Sequence, residues 1–278
     1  MKKNKLVAPV LKWVGGKRQL LDTLTPLLPK RITTYCEPFI GGGAMLFNLQ
    51  PNVAYVNDIN SDLILVYTVI KNDVEALIAA LAEYKNEAEF FYSVRDWDRD
   101  KEKYASLTDV ERAARIIYLN KTCFNGLYRV NNAGEFNSPF GSYKNPNIVN
   151  APVLRAVSSY FNNAAVNFTS TDYAEVLRTI PKGTFVYLDP PYDPVSVTSN
   201  FTGYSKGGFT QADQIRLREC CDELTKRGIK FMLSNSSTEF IHAQYAAYNI
   251  TVVRAKRAIN SVASRRGDVD EVVVRNYE

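Results

Sequence analysis

"EPFIGGGAMLF", residues 37–47, sets three consecutive glycines between an apolar strand and a helix. The run "TYCEPF" leading into it is apolar and aromatic over a strand's length, and "AMLFNL" takes up helical spacing. Glycine at such a junction lets backbone approach a ligand closely and leaves the helix N–H groups free. This is not the dinucleotide fingerprint. Gly41 and Gly43 supply its first two glycines, but Leu46 stands where the third belongs. About twenty residues on, "YVNDINSD" ends a second strand at Asp58, where an acid in an α/β sheet accepts hydrogen bonds from ribose hydroxyls. A merely tight turn and a helix cap would account for the same residues. Asn60 or Ser61 can do the capping, which frees Asp58, and the pair together favours an adenosine-bearing ligand.

Outward from this junction the chain keeps alternating. A helix of the type "SDLILVYTVIK" starts at Ser61, and from about residue 152 "AVNFTS", "TFVYLD", "KFMLSN", "ITVVRA" and "EVVVRNY" read as strands. The helices "YAEVLRTI" and "QADQIRLRECCDELTKR" fall among them. That order predicts a parallel, doubly wound α/β sheet. Residues 73 to 120 differ, mixing acidic, basic and aromatic residues at helical spacing ("EAEFFYSVRDWDRD", "TDVERAARIIYLNK"). "FNGLYRVNNAGEFNSPFGSYKNP" then predicts a hairpin or long loop. The middle of the chain reads as an insertion.

Composition narrows the chemistry. Hydrophobic residues are 46% and charged residues 23% of 278, an ordinary globular balance with room for one large domain carrying an insertion. A net charge of +5 suits a polyanion without requiring one. The apolar run Leu6 to Leu11 is too short for a signal peptide, and no run is long enough to span a bilayer. Four cysteines, Cys36, Cys123, Cys220 and Cys221, show no paired spacing, so reduced thiols and a cytoplasmic location are expected. His242 is the only histidine, which removes Ser-His-Asp chemistry and a His-rich metal site; no metal is expected.

Two further stretches carry chemistry. "LKWVGGKRQLL", residues 11–21, places a glycine turn among Lys12, Trp13, Lys17 and Arg18, suited to a carboxylate or phosphate, though an exposed basic turn would look the same. "FVYLDPPYDP", residues 185–194, ends a strand on Asp189, Pro190, Pro191 and Tyr192. The prolines fix φ and lack N–H groups, so the Asp189 carboxylate and the Pro190 carbonyl form a rigid pair of acceptors beside an aromatic face. An amino group on a flat conjugated base fits that arrangement, and drawing off both its hydrogens frees the nitrogen lone pair for attack. A proline-rich turn with an incidental tyrosine is the bland alternative.

With "KWVGGK", "EPFIGGG" and "DPPY" in that order, the chain resembles the Dam-type DNA adenine-N6 methyltransferases. "FNGLYRVN", "GEFNSPFG" and "SNFT" add to the likeness. The resemblance implies a Rossmann-like methyltransferase sheet, with residues 1–60 and 151–278 as catalytic domain and an inserted, mainly helical target-recognition domain at 61–150. It implies S-adenosyl-L-methionine as methyl donor, held by Trp13, Lys17, Phe39, Gly41, Gly43, Asp58, Asp172 and Asp189. Lys17 is suited to the methionine carboxylate and Asp58 to the ribose; for Asp172 a helix cap explains the residue equally well. Asp189, Pro190, Pro191 and Tyr192 are the implied catalytic group, with Tyr192 stacking on an extruded adenine. The implied partner is double-stranded DNA at GATC, contacted by Lys12, Phe124, Asn125, Leu127, Arg129 and Pro139, with Arg129 reading a guanine. Ser142 departs from relatives that carry a basic residue there, so one phosphate contact is expected to be missing. The basic stretch "RAKRAINSVASRRG", residues 254–267, is either a replacement for it or a solvated loop. A monomer is expected; the sequence leaves open whether the enzyme stands alone or serves beside a cognate restriction endonuclease without direct contact. Cytosine N4, an RNA base or a protein glutamine are the rival acceptors. A non-catalytic DNA-binding module and a nicotinamide oxidoreductase are the rivals outside the class.

Overall fold

β4 (Thr184–Leu188) is buried at all of its positions, which marks it as a central strand covered on both faces. The computed structural model describes residues 3–195, 208–256 and 268–278. Seven strands form one sheet in the order β3-β2-β1-β4-β5-β7-β6. They are β1 (Thr34–Glu37), β2 (Val53–Asn57), β3 (Ala165–Thr169), β4, β5 (Lys230–Ser236), β6 (Asn249–Lys256) and β7 (Asp268–Arg275). β1 pairs in parallel with β2 on one side and with β4 on the other. Strand order therefore reverses between β1 and β4, the crevice at which open α/β sheets bind ligands.

The helices in chain order are α1 (Leu21–Leu24), α2 (Ala44–Leu49), α3 (Ser61–Asn72), α4 (Val74–Ala82), α5 (Ala88–Arg95), α6 (Lys101–Ser106), α7 (Asp109–Thr122), α8 (Ala151–Asn163), α9 (Tyr173–Thr179), α10 (Gln211–Lys226) and α11 (Glu239–Gln244). Capping residues fix several starts. Asn60 accepts the Leu63 amide at the head of α3, and Thr108 with Glu111 forms a reciprocal capping box on α7. α3 packs on the sheet: its Tyr67 ring stacks on Phe168 of β3 at 5.9 Å, and its hydroxyl donates to the Gly41 carbonyl (2.7 Å).

Two features go beyond the alternation read from the sequence. β7 lies antiparallel between β5 and β6 in an otherwise parallel sheet, and it pairs with β6 over its whole length. α8 is an added helix, with Leu154, Val157 and Phe161 buried at helical spacing although "SSYFNN" shows little apolar periodicity.

Helices α4, α5 and α7 share one apolar core with the sheet. From α7 the chain enters a hairpin-like segment closed by antiparallel bridges Cys123↔Phe140 and Val130↔Phe136. A buried acid fastens that segment to the helices. Asp98 pairs with Arg115 at 2.8 Å and with Arg99, and it accepts the Phe136 amide at 2.8 Å. Such a fully partnered buried charge holds one geometry because any shift would strand it.

Candidate active site

The exit of β4 is bolted down from three sides. Pro190 and Pro191 deny the segment its own ladder bonds, so side chains supply the partners. Gln214 of α10 donates to the Pro191 carbonyl (2.8 Å), and the Asp193 amide donates to Asn235 of β5 (3.1 Å). The Ser236 and Thr238 hydroxyls donate to the Asp193 carbonyl and carboxylate, each at 2.7 Å. Asn235 donates in turn to Gln214 (3.0 Å), closing the brace. Among the described residues, no donor reaches the Pro190 carbonyl.

On this brace Asp189 and Tyr192 face Lys17. The Lys17 ammonium lies 2.8 Å from Asp189 Oδ1 and 4.6 Å above the Tyr192 ring, and it donates to the Gly15 carbonyl at 2.7 Å. The contact is an ion pair, and apart from it the buried Oδ1 has no polar partner among the described residues. Burial pushes the Asp189 carboxyl up to about 6, against the opposing pull of the Lys17 charge. The Tyr192 hydroxyl donates to Glu271 of β7 at 2.8 Å.

A second acid closes the crevice from β1. Glu37 is 2% exposed and accepts the Tyr35 hydroxyl (2.8 Å) and the Leu46 amide of α2 (3.1 Å). Burial first, with Asp189 adding, drives its carboxyl up to about 8, while those two hydrogen bonds pull the other way. The glycine turn follows it. Gly41 and Gly43 have φ of 47° and 70°, a left-handed region that side chains enter at a cost. A Cβ at Gly41 would stand 2.8 Å from Trp13 Cδ1, so the indole closes over this turn. Asp58 Oδ2 accepts the Gly41 amide and Oδ1 the Asn60 amide, each at 3.0 Å, which leaves lone pairs for further donors. The half-buried Phe39 ring packs on Tyr173 and Phe209, at 5.0 and 6.1 Å between centroids. Asp172 has its oxygens engaged: it caps α9 through the Ala174 amide (2.9 Å) and binds Arg216 through both oxygens at 2.7 and 2.8 Å. The Arg216 hydrogen bonds hold its carboxyl below the usual carboxylate range.

The residues expected to face DNA lie next to the same turn. Buried Asn120 of α7 accepts the Lys12 amide (2.9 Å) and donates to the Lys12 and Gly126 carbonyls (2.8 and 3.2 Å). One amide side chain thus pins the N-terminal basic segment to the start of the hairpin. Lys12 and Phe124 are exposed beside that junction, and Asn125 holds a left-handed φ of 59°. Leu127 is half-buried, Pro139 is exposed and gives its carbonyl to the Phe124 amide (2.8 Å). Arg129 is exposed and donates through Nε to Asn137 (2.7 Å). Ser142 has a left-handed φ of 52°. Trp13 stacks on Tyr128 at 5.0 Å, so the indole over the glycine turn also touches the hairpin. Residues 257–267 of the basic stretch and "SNFT" at 199–202 lie outside the described residues.

The carboxylate, glycine turn and aromatic platform at a topological switch point therefore sit beside a basic, aromatic hairpin. The family model for "D12 class N6 adenine-specific DNA methyltransferase" matches residues 13–259. This chain belongs to that family. A Type II methyltransferase of Lactococcus lactis subsp. cremoris is 43% identical, with 100% of this chain and 98% of that protein covered. A Type II methyltransferase of Methanocaldococcus jannaschii is 44% identical over 98% of this chain and 99% of its own length. The DNA adenine methylase of Escherichia coli (strain K12) is 36% identical over 98% and 95%. As a D12-class enzyme the chain is an adenine-specific DNA methyltransferase, with S-adenosylmethionine as the methyl donor that its family implies.

The D12 chain gathers Trp13, Lys17, Gly41, Asp58, Asp189 and Tyr192 around the β1–β4 crevice, and Lys12 with Phe124 to Arg129 around the hairpin. Glu37, Asn120, Tyr128 and Glu271 join them without having been singled out in the sequence. A glutamate ending a strand directly before the glycine turn was a usable signal for Glu37; the other three had none. Among the described residues, no group of His, Cys, Asp and Glu is arranged to hold a metal, and no helix is long and apolar enough to cross a membrane.

Proposed function

We propose that this enzyme methylates N6 of adenine within GATC in double-stranded DNA, acting as a monomer on a base flipped out of the helix. The observation that carries the reading is the seat of the Lys17 ammonium, 2.8 Å from Asp189 Oδ1 and 4.6 Å over the Tyr192 ring. A nitrogen bearing hydrogens already rests between the acceptor and the aromatic face, where an exocyclic amine would lie.

The crevice residues fit S-adenosylmethionine. The glycine turn is a cradle that a Cβ would fill, and buried Asp189 Oδ1 has only the Lys17 ammonium against it among the described residues. Asp58 would take the ribose, Lys17 the methionine carboxylate, and Trp13, Phe39, Gly41 and Gly43 the remaining faces. Asp172 would contribute at the donor's adenine by exchanging its Arg216 partner. When bound, the donor supplies an electrophilic methyl group on a sulfonium. The protein's task is to sharpen and orient the amine. The Asp189 carboxylate accepts one amine hydrogen and the Pro190 carbonyl the other, which draws the nitrogen from planar toward tetrahedral and releases its lone pair. Tyr192 holds the base flat by stacking. Extrusion costs a few kcal/mol, offset in the pocket and by side chains such as Phe124 and Asn125 entering the duplex. Arg129 would read guanine O6 and N7, worth about 1–3 kcal/mol of discrimination, with Leu127 and Pro139 on apolar base edges and Lys12 beside them.

The greater identity to the relatives named Type II methyltransferases than to the one named DNA adenine methylase favours a modification role paired with a restriction endonuclease. DNA from cells expressing the protein, digested with a GATC nuclease that adenine methylation blocks, tests the target. Protection is expected; complete cutting overturns GATC.

A further inference from the structure

Glu271 stands in β7, opposite Ser236 of β5 and Val253 of β6, beside the C-terminal end of β5 that already braces the segment after β4. It is followed by Val272, Val273 and Val274, all buried, so strand register leaves its carboxylate little freedom. Its Oε2 accepts the Tyr192 hydroxyl at 2.8 Å, from 79 residues away in the chain. A phenol anchored only through its ring can tilt; one whose hydroxyl is held by a carboxylate has its plane set. Donation to an anion also shifts electron density into the ring and deepens its negative face. That face already takes a cation, the Lys17 ammonium at 4.6 Å.

We infer that Glu271 is a positioning residue for methyl transfer: through Tyr192 it fixes the plane of the base platform and keeps the ring electron-rich, so that the ring favours the base most as N6 becomes positively charged. N6 would carry that charge from the point at which its bond to the methyl carbon forms and the carbon–sulfur bond breaks, leaving a neutral thioether, until the proton passes from N6 to solvent. The stabilisation is therefore largest in the transition state, and kcat rather than KM should register it. Glu271 charge also raises the proton affinity of Asp189 and of the Tyr192 phenol, as expected for a carboxylate facing the same crevice. The inference rests on Tyr192 as the platform for the base, but not on the GATC target.

The test uses unmethylated genomic DNA as acceptor, so that any adenine context is available, with labelled S-adenosylmethionine at saturation. Glu271→Ala is expected to lower kcat about ten- to a hundredfold, the range for losing a hydrogen bond to a charged group. KM for the donor should stay within about twofold, since uniform binding is untouched. Glu271→Gln keeps an acceptor but no charge, and should recover part of the loss while remaining about threefold or more below the parent. In a Tyr192→Phe background, Glu271→Ala should cost nothing further. A Glu271→Ala or Glu271→Gln enzyme with parental kcat overturns the inference, as do losses that multiply in the double variant. If Glu271→Ala does not fold by circular dichroism, the Glu271→Gln comparison decides alone. A parent enzyme that transfers no label to this DNA would sink the reading of the pocket itself, a result distinct from indifference to Glu271.

Discussion

Lys17 and Asp189, 172 residues apart in the chain, meet as an ion pair of 2.8 Å at the C-terminal ends of the central strands. The ionised carboxylate accepts an amine hydrogen far more strongly than the neutral acid does, and burial holds its pKa near 6 even with Lys17 beside it. The rate of methyl transfer at limiting donor should therefore fall as pH drops through about 6, with one proton taken up. Lys17→Met removes the charge that lowers this value, so the same limb should move to higher pH. Initial rates of label incorporation from pH 5 to 9 at limiting donor, which report the free enzyme, check both statements, and an unmoved limb in Lys17→Met would separate the pair.

Asp189→Asn keeps shape and one acceptor oxygen but puts an amide where the amine's hydrogen must point. Methyl transfer should fall by at least about a hundredfold, the scale for removing one electrostatic contact in a transition state. Stability should hold or rise, because the variant removes a buried carboxylate whose ionisation costs free energy. Label incorporation and thermal melting, measured side by side, check the two halves.

Gly41→Ala forces a side chain onto a φ of 47° and within 2.8 Å of Trp13 Cδ1. The indole must move, and with it the wall of the proposed donor site and the stack on Tyr128. Donor affinity should drop by about tenfold or more, as calorimetric titration with S-adenosylmethionine would read, since αL strain alone costs about 1–2 kcal/mol.

Asn120→Ala leaves the Lys12 amide and carbonyl and the Gly126 carbonyl without their shared partner. A loss of about 1–3 kcal/mol in urea unfolding is expected. Because Asn120 ties the N-terminal basic segment to the hairpin, KM for DNA should rise more than KM for the donor.

How far the residues could be read in advance depended on where their partners lie. Asp58 and Asp189 stood out because each directly follows a strand and precedes local punctuation, capping residues in one case and two prolines in the other. Gly41 and Gly43 announced a turn for the same reason. Asn120 and Glu271 sit inside ordinary helix and strand patterns, and what distinguishes them is contact across 108 and 79 residues. Pattern reading carries no information about such pairings. Strand signals likewise foretold β7 but not its direction, since antiparallel and parallel strands share one alternation. Asp172 was readable as a cap, which it is, but its bidentate partner Arg216 lies on α10, beyond any local signal.

Glu37 gives the fold a pH signature. Its carboxyl is pushed up to about 8 from an ordinary 4.5, so between those values the folded chain keeps a proton that the unfolded chain has released. Stability should be greatest below that window and decline as pH rises through 8. Glu37→Gln keeps an acceptor for Tyr35 and Leu46 without ionising, and should show a smaller decline. Urea midpoints of the two proteins at pH 5 and pH 9 give the comparison; equal declines would mean Glu37 is not held protonated.

The most direct measurement is nucleoside chromatography of a GATC duplex after incubation with the enzyme and labelled S-adenosylmethionine. All label should elute as N6-methyl-2′-deoxyadenosine, and none should appear with Asp189→Asn. Label in N4-methylcytosine, or undiminished adenine methylation by the variant, would contradict an amine cradle built on residues 189–192.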